Sequence, residues 1–131
     1  MLVKKSMKLS FIDHITILVK DVERTASFYS KFLGEPIQKD QEVVAWKIGD
    51  TKLFFGLPYR ENAKSFDKEN IGLNHLAFGV RSLDELKNFE KDLNTGGIKH
   101  SGIKICPYSK KEFIWFDDPD GVRLEFYLRP S

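Results

Sequence analysis

The chain has one cysteine, Cys106, which rules out an intramolecular disulfide and suits a reducing cytoplasm. It also lacks any apolar run of the roughly 20 residues that a membrane-spanning helix needs. The N-terminal MLVKKSMKL has no apolar core of signal-peptide length. An excess of charge of one sign is lacking as well, the formal net charge being +2. Lys4, Lys5 and Lys8 fall in the N-terminal segment and Lys110 and Lys111 in a loop, so no basic stripe points to nucleic acid. These absences leave a small cytoplasmic globular protein with neither membrane nor nucleic acid as its partner.

What is present fits that class. At 131 residues, with 41% hydrophobic and 31% charged residues, the chain reads as a single domain over 10–131. A chain of this size buries roughly 68% of its unfolded surface, enough for a true core. Residues 1–9 read as a loose arm, with Met7 as an alternative start. The domain divides into two modules, about 10–57 and 72–129, because it contains a half-repeat. FIDHITILVKDVERTASFYSKFL at 11–33 returns in outline as GLNHLAFGVRSLDELKNFEKDLN at 72–94. A shift of 61 positions lays His14 on His75, Val19 on Val80, Phe28 on Phe89 and Phe32 on Leu93.

Each copy reads as a strand and then a helix. The segments 11–19 and 73–80 carry β-branched and aromatic residues. Asp21 is a candidate N-cap, and Ser82 with Glu85 forms a capping-box pattern. Gly34 and the pair Gly96-Gly97 stop the two helices. Further strands are expected near 43–48, 51–57, 98–105, 112–117 and 122–128, with 58–71 as the loop between modules. The plan is βαβββ, twice. Asp118-Pro119-Asp120-Gly121 only superficially resembles a calcium loop. An EF-hand needs five residues between its glycine and its glutamate, and only three separate Gly121 from Glu125, so a structural turn is expected.

Strand alternation sorts the side chains by face. Ile15, Ile17 and Val19 share one face of the first strand and His14 lies on the other. Leu76, Phe78 and Val80 oppose His75, and Leu124, Phe126 and Leu128 oppose Glu125. The unbroken apolar faces are free to pack under helices. A lone histidine on a strand is more often a packing or surface residue than a ligand, and Glu125 could simply face solvent. The joint pattern is different: two imidazoles at repeat-equivalent points and one carboxylate, all on the second face. That is a set able to hold a divalent metal with positions left open.

On IDHITILVKDVERTASFYSKFLG, LNHLAFGV and FIWFDDPDGVRLEFY, the chain resembles the vicinal oxygen chelate superfamily, which includes glyoxalase I, bleomycin- and fosfomycin-resistance proteins and extradiol dioxygenases. The resemblance spans 11–128. It implies an α+β fold in which paired βαβββ modules form an open, cupped mixed sheet with helices on the outer face. It also implies that His14, His75 and Glu125 ligate one divalent ion, Mn, Fe, Ni, Co or Zn. Members are often homodimers, so His14 comes either from the same chain as His75 and Glu125 or from a second copy.

The expected function is metal-dependent catalysis on a small oxygen-bearing molecule, of dioxygenase or lyase/isomerase type. Glyoxalase I has a fourth ligand. Aligning Trp46-to-Leu53 with Trp115-to-Leu124 puts Phe54 at that position, which argues against glyoxalase I activity. A fosfomycin-type thiol transferase is one alternative, resting on Thr16 and Ser109, with Arg123 and Lys104 as the nearby cations. A bleomycin-type drug binder, which usually lacks the ligands, is another. Thr16, Trp46, Phe54, Trp115, Arg123 and Tyr127 are the expected substrate-binding wall. Arg123 is placed to receive an anionic group, and for Trp46 and Trp115 a place in the core stays an equal alternative.

Overall fold

The computed structural model describes residues 7–131. Part of the expected N-terminal arm, residues 1–6, lies outside the described residues; Met7 and Leu9 are exposed. The first module runs β1 (His14–Leu18), α1 (Val22–Leu33), β2 (Gln38–Lys39), β3 (Val43–Ile48) and β4 (Thr51–Gly56). The second runs β5 (His75–Val80), α2 (Leu83–Thr95), β6 (Lys104–Ile105), β7 (Glu112–Asp117) and β8 (Arg123–Leu128). The fold is α+β, built from two βαβββ modules. Each module forms its own four-stranded mixed sheet, ordered β1-β4-β3-β2 and β5-β8-β7-β6. β1 pairs parallel to β4, and β5 parallel to β8.

The helices begin where their caps stand. The Asp21 carboxylate accepts the Arg24 N–H at 3.0 Å. The Ser82 hydroxyl accepts the Glu85 N–H at 3.1 Å, and the Glu85 carboxylate reaches back to the Arg81 N–H at 2.9 Å. Gly34 takes φ +78° and ψ −151° after α1, a region open essentially only to glycine. Its carbonyl accepts the Trp46 indole N–H at 2.9 Å.

Two strand expectations change. The strand expected over 98–105 shrinks to Lys104–Ile105 plus one bridge from His100 to Phe116. Gly97 and Gly102, at φ +69° and +73°, turn the chain away from extended geometry there. The short β2 arises where Gln38 and Lys39 pair with Ala45 and Val44, a stretch with no apolar alternation of its own.

Both helices cover the sheet faces opposite His14, His75 and Glu125, and one core joins the modules. Val22, Ala26, Tyr29 and Phe32 of α1 are buried. Tyr29 lies 4.2 Å, centroid to centroid, from Phe55 of its own module. Phe32 reaches across to Phe116 and Phe126 of the second module at 5.3 and 5.4 Å. Such aromatic pairs contribute about 0.5–1.5 kcal/mol each beyond their burial.

A polar joint accompanies this core. The Tyr29 hydroxyl donates to Asp118 Oδ2 at 2.7 Å. Asp118 Oδ1 accepts the N–H groups of Asp120 and Val122, both at 2.9 Å. The Asp-Pro-Asp-Gly segment is thus a turn organised by its first carboxylate. Burial holds the Asp118 carboxyl above its ordinary range, against the opposing hydrogen bond from Tyr29.

Tyr29→Phe should lower stability by about 1–3 kcal/mol, because it strips a buried carboxylate of its donor. Folding favours the protonated form of Asp118. Its ionisation therefore costs stability above the raised folded pKa, and that cost is relieved as pH falls. The variant loses a group that lowers this pKa, so its relief should begin at higher pH. Urea unfolding between pH 4 and 7 measures both effects.

Candidate functional site

Cross-strand register arranges the ligand face of each sheet. In the second module His75 is opposite Arg123 and Ala77 is opposite Glu125. In the first, His14 is opposite Lys52 and Thr16 is opposite Phe54. Phe54 therefore occupies the place of Glu125, as expected. Its ring lies edge-on to His14, with centroids 5.8 Å apart.

His75 and Glu125 meet. His75 Nε2 is 3.8 Å from Glu125 Oε1. Two donors each about 2.1 Å from one cation are at most about 4.2 Å apart, so this pair can share an ion. Ala77, Gly79 and Tyr127 join them around a hollow of about 230 Å³. The small residues of β5 leave space above the ligand pair. His14 is not brought to them: no group of three or more His, Cys, Asp or Glu side chains able to hold a metal occurs among the described residues. It projects from the exposed face of β1.

Sequence reasoning missed the neighbours of the two histidines. His14 Nδ1 is 2.8 Å from Asp13 Oδ2, and His75 Nδ1 is 2.9 Å from Asn74 Oδ1. A carboxylate only accepts, so Nδ1 of His14 carries the proton and Nε2 keeps its lone pair. The amide oxygen of Asn74 does the same for His75. Metal-binding histidines are held in this manner by a partner on the second nitrogen. Asp13 and Asn74 are themselves repeat-equivalent, each one residue before its histidine, and that was the available signal. The donor set and its tautomers fit a divalent cation.

The expected substrate wall divides. Thr16 and Phe54 lie on the ligand face beside His14. Trp46 does not: it is 2% exposed and packs on Tyr29 and Phe55 in the core. Trp46 is cross-strand from Leu53, as Phe116 is from Leu124, so its counterpart is Phe116 rather than Trp115. The hairpin at Gly49-Asp50 is shorter than the Asp118–Val122 turn. A one-residue offset in a strand reverses the face. Trp115 is half-buried and pairs with Glu125 on the ligand face. Arg123 stacks on the Trp115 ring at 4.0 Å and binds Asp117 at 2.6 Å. Its charge is already partnered, which weakens its expected role as an anion receptor.

Tyr127 shares a hydrogen bond with the Ser109 hydroxyl. Next to them the Cys106 thiol is lowered to about 7, chiefly by the Ser109 backbone N–H and then by the Tyr127 hydroxyl. The same contact with Cys106 pushes the Tyr127 phenol upward.

Residues 11–126 match the model of the Glyoxalase/Bleomycin resistance protein/Dioxygenase superfamily, and the chain belongs to that family. YwkD of Bacillus subtilis strain 168 is 36% identical over 131 residues, covering 92% of this chain and 98% of its own. A trivalent organoarsenical cleaving enzyme of Bacillus sp. strain MD1 is 27% identical over 118 residues, covering 87% of this chain and 70% of its own. The crystal structure of the glyoxalase family protein from Enterococcus faecalis superposes with a TM-score of 0.72 at 27% identity, over 92% of this chain and 99% of that one. No helix among the described residues is long and apolar enough to cross a membrane.

Alkylation of Cys106 by iodoacetamide should reach half its maximal rate near pH 7, because the thiolate is the nucleophile. Tyr127→Phe should move that midpoint up. A midpoint in the ordinary thiol range for both proteins would remove the Ser109–Tyr127–Cys106 arrangement.

Proposed function

We propose that two copies of this chain form a homodimer in which His75 and Glu125 of one subunit and His14 of the partner subunit bind one divalent cation. The site serves an enzyme acting on a small oxygen-bearing molecule, by dioxygenase or lyase/isomerase chemistry, in the cytoplasm. The observation that carries this reading is the pairing of His75 Nε2 with Glu125 Oε1 at 3.8 Å, while Nδ1 of each histidine is held by its neighbour. His14 is exposed and prepared in the same way, but has no carboxylate opposite it. A second copy supplies what each half lacks.

The surfaces around the two histidines favour self-association. Phe11 and Ile12, just before His14, are 54% and 63% exposed. Ile71, four residues before His75, is also exposed. Apolar groups gathered at an incomplete site mark an interface. A symmetric pair would bury both sets at once.

When bound, the cation would act as a Lewis acid that holds substrate oxygen and stabilises developing negative charge. The chain's residues do the rest. Asp13 and Asn74 fix the ring orientations. Phe54 puts an apolar edge beside His14 and excludes a fourth carboxylate from the repeat-equivalent position. With no base at that place, glyoxalase I chemistry falls outside the reading. Tyr127, on the ligand face with Glu125, can hold or pass on a proton through its hydroxyl. A relative named as a cleaving enzyme supports catalysis over passive drug binding.

The test uses two variants, His14→Ala and Glu125→Ala. Each homodimer should retain no tightly bound Mn²⁺, Fe²⁺, Ni²⁺, Co²⁺ or Zn²⁺. After unfolding, mixing in equal amounts and refolding, half the dimers are mixed and each has one intact site of two. About one quarter of wild-type metal should return. Retention of metal by either variant alone, or no return on mixing, contradicts the shared site.

A further inference from the structure

We propose that the hollow between β1 and the loop joining the modules binds a small molecule with an apolar body and one anionic end. Its volume is about 370 Å³, within the range of small-ligand pockets. It lies within one chain, apart from the space above His75 and Glu125. Leu18, Phe66 and Leu73 line it, and all three keep substantial exposure although they are apolar. An occupant would cover surface that the chain itself leaves wet.

Charge sets the polarity of the occupant. Lys20 and Lys64 line the hollow, and neither forms an ion pair among the described residues. Among the described residues, the only carboxylate in the lining is Asp120. Its Oδ1 is taken by the Arg24 guanidinium at 3.1 Å and by the Lys20 backbone N–H at 3.3 Å. Its Oδ2 is buried with no hydrogen-bond partner among the described residues. The pocket therefore offers two ammonium groups without ion-pair partners among the described residues against one carboxylate that is paired with Arg24 through Oδ1. A carboxylate, phosphate or similar anion is the complement.

Position ties the hollow to chemistry. Thr16 belongs to its lining and stands on the same face of β1 as His14. Two residues along a strand span about 6.6 Å. A molecule held here would extend toward the imidazole. That this molecule is the substrate rests on the metal reading above; that the hollow binds an apolar anion does not.

Nuclear magnetic resonance titration of the metal-free protein with 4-phenylbutyrate separates the two. Binding should shift the amide signals of Leu18, Phe66 and Leu73. The uncharged 4-phenylbutanol and the cationic 4-phenylbutylamine should bind more weakly. The double variant Lys20→Gln/Lys64→Gln keeps the Lys20 backbone bond to Asp120, and should weaken 4-phenylbutyrate by roughly tenfold. His75→Ala should leave this binding intact. Equal affinity for the three probes overturns the proposal, as do shifts confined to other residues. Signals that respond only to protein concentration also overturn it, since the hollow is then a contact between copies. Loss of metal in His75→Ala with the probe still bound supports both readings; normal metal content with no probe binding defeats this one alone.

Discussion

Phe32 is the hinge of this architecture. It leaves α1 of the first module and packs among Phe78, Phe116 and Phe126 of the second, while Tyr29, three residues earlier, packs on Phe55 and donates to Asp118. Cutting such a ring back to alanine typically costs about 3–5 kcal/mol. The shared core fixes which way each sheet faces. Both sheets turn their apolar faces toward it, so both turn their ligand faces away. His14 and the His75–Glu125 pair are equivalent in local structure, yet separated by the packing that makes the chain one body.

The duplicated modules have divided their labour at matching positions. The strand pair that presents Thr16 and Phe54 in one module presents Ala77 and Glu125 in the other. One module thus gives a single imidazole beside an aromatic edge. The other gives an imidazole and a carboxylate under an open hollow. The partners of the rings differ too, since Asp13 carries charge and Asn74 does not. In the proposed dimer the two halves together would bring two nitrogens and one oxygen to the cation. In the proposed dimer the apolar surface next to His14 would be covered by the second copy.

Much of this was legible in the sequence. The 61-residue shift, the caps at Asp21 and Ser82 and the alternation about His14, His75 and Glu125 are local signals, and local physics determines them. For Trp46 the sequence leaves core and substrate wall equally open, because its face depends on the length of a turn, two residues at Gly49-Asp50 against a longer loop at Asp118–Val122. Strand β2 pairs without any periodic pattern, so only its neighbour β3 reveals it. Arg123 looked available for an anion until its cross-strand contact with Asp117 was visible. Where His14 stands relative to His75 and Glu125 depends on contacts such as those of Phe32 with residues 84 and 94 positions further along, and no periodicity encodes that.

The most direct test is a crystal structure of the metal-loaded protein, with the cation located by anomalous scattering at its absorption edge. The account predicts one strong peak between subunits, bound by His75 Nε2 and Glu125 of one and by Nε2 of His14 of the partner subunit. A peak held within a single subunit by all three residues, or a cation on other side chains, would contradict it.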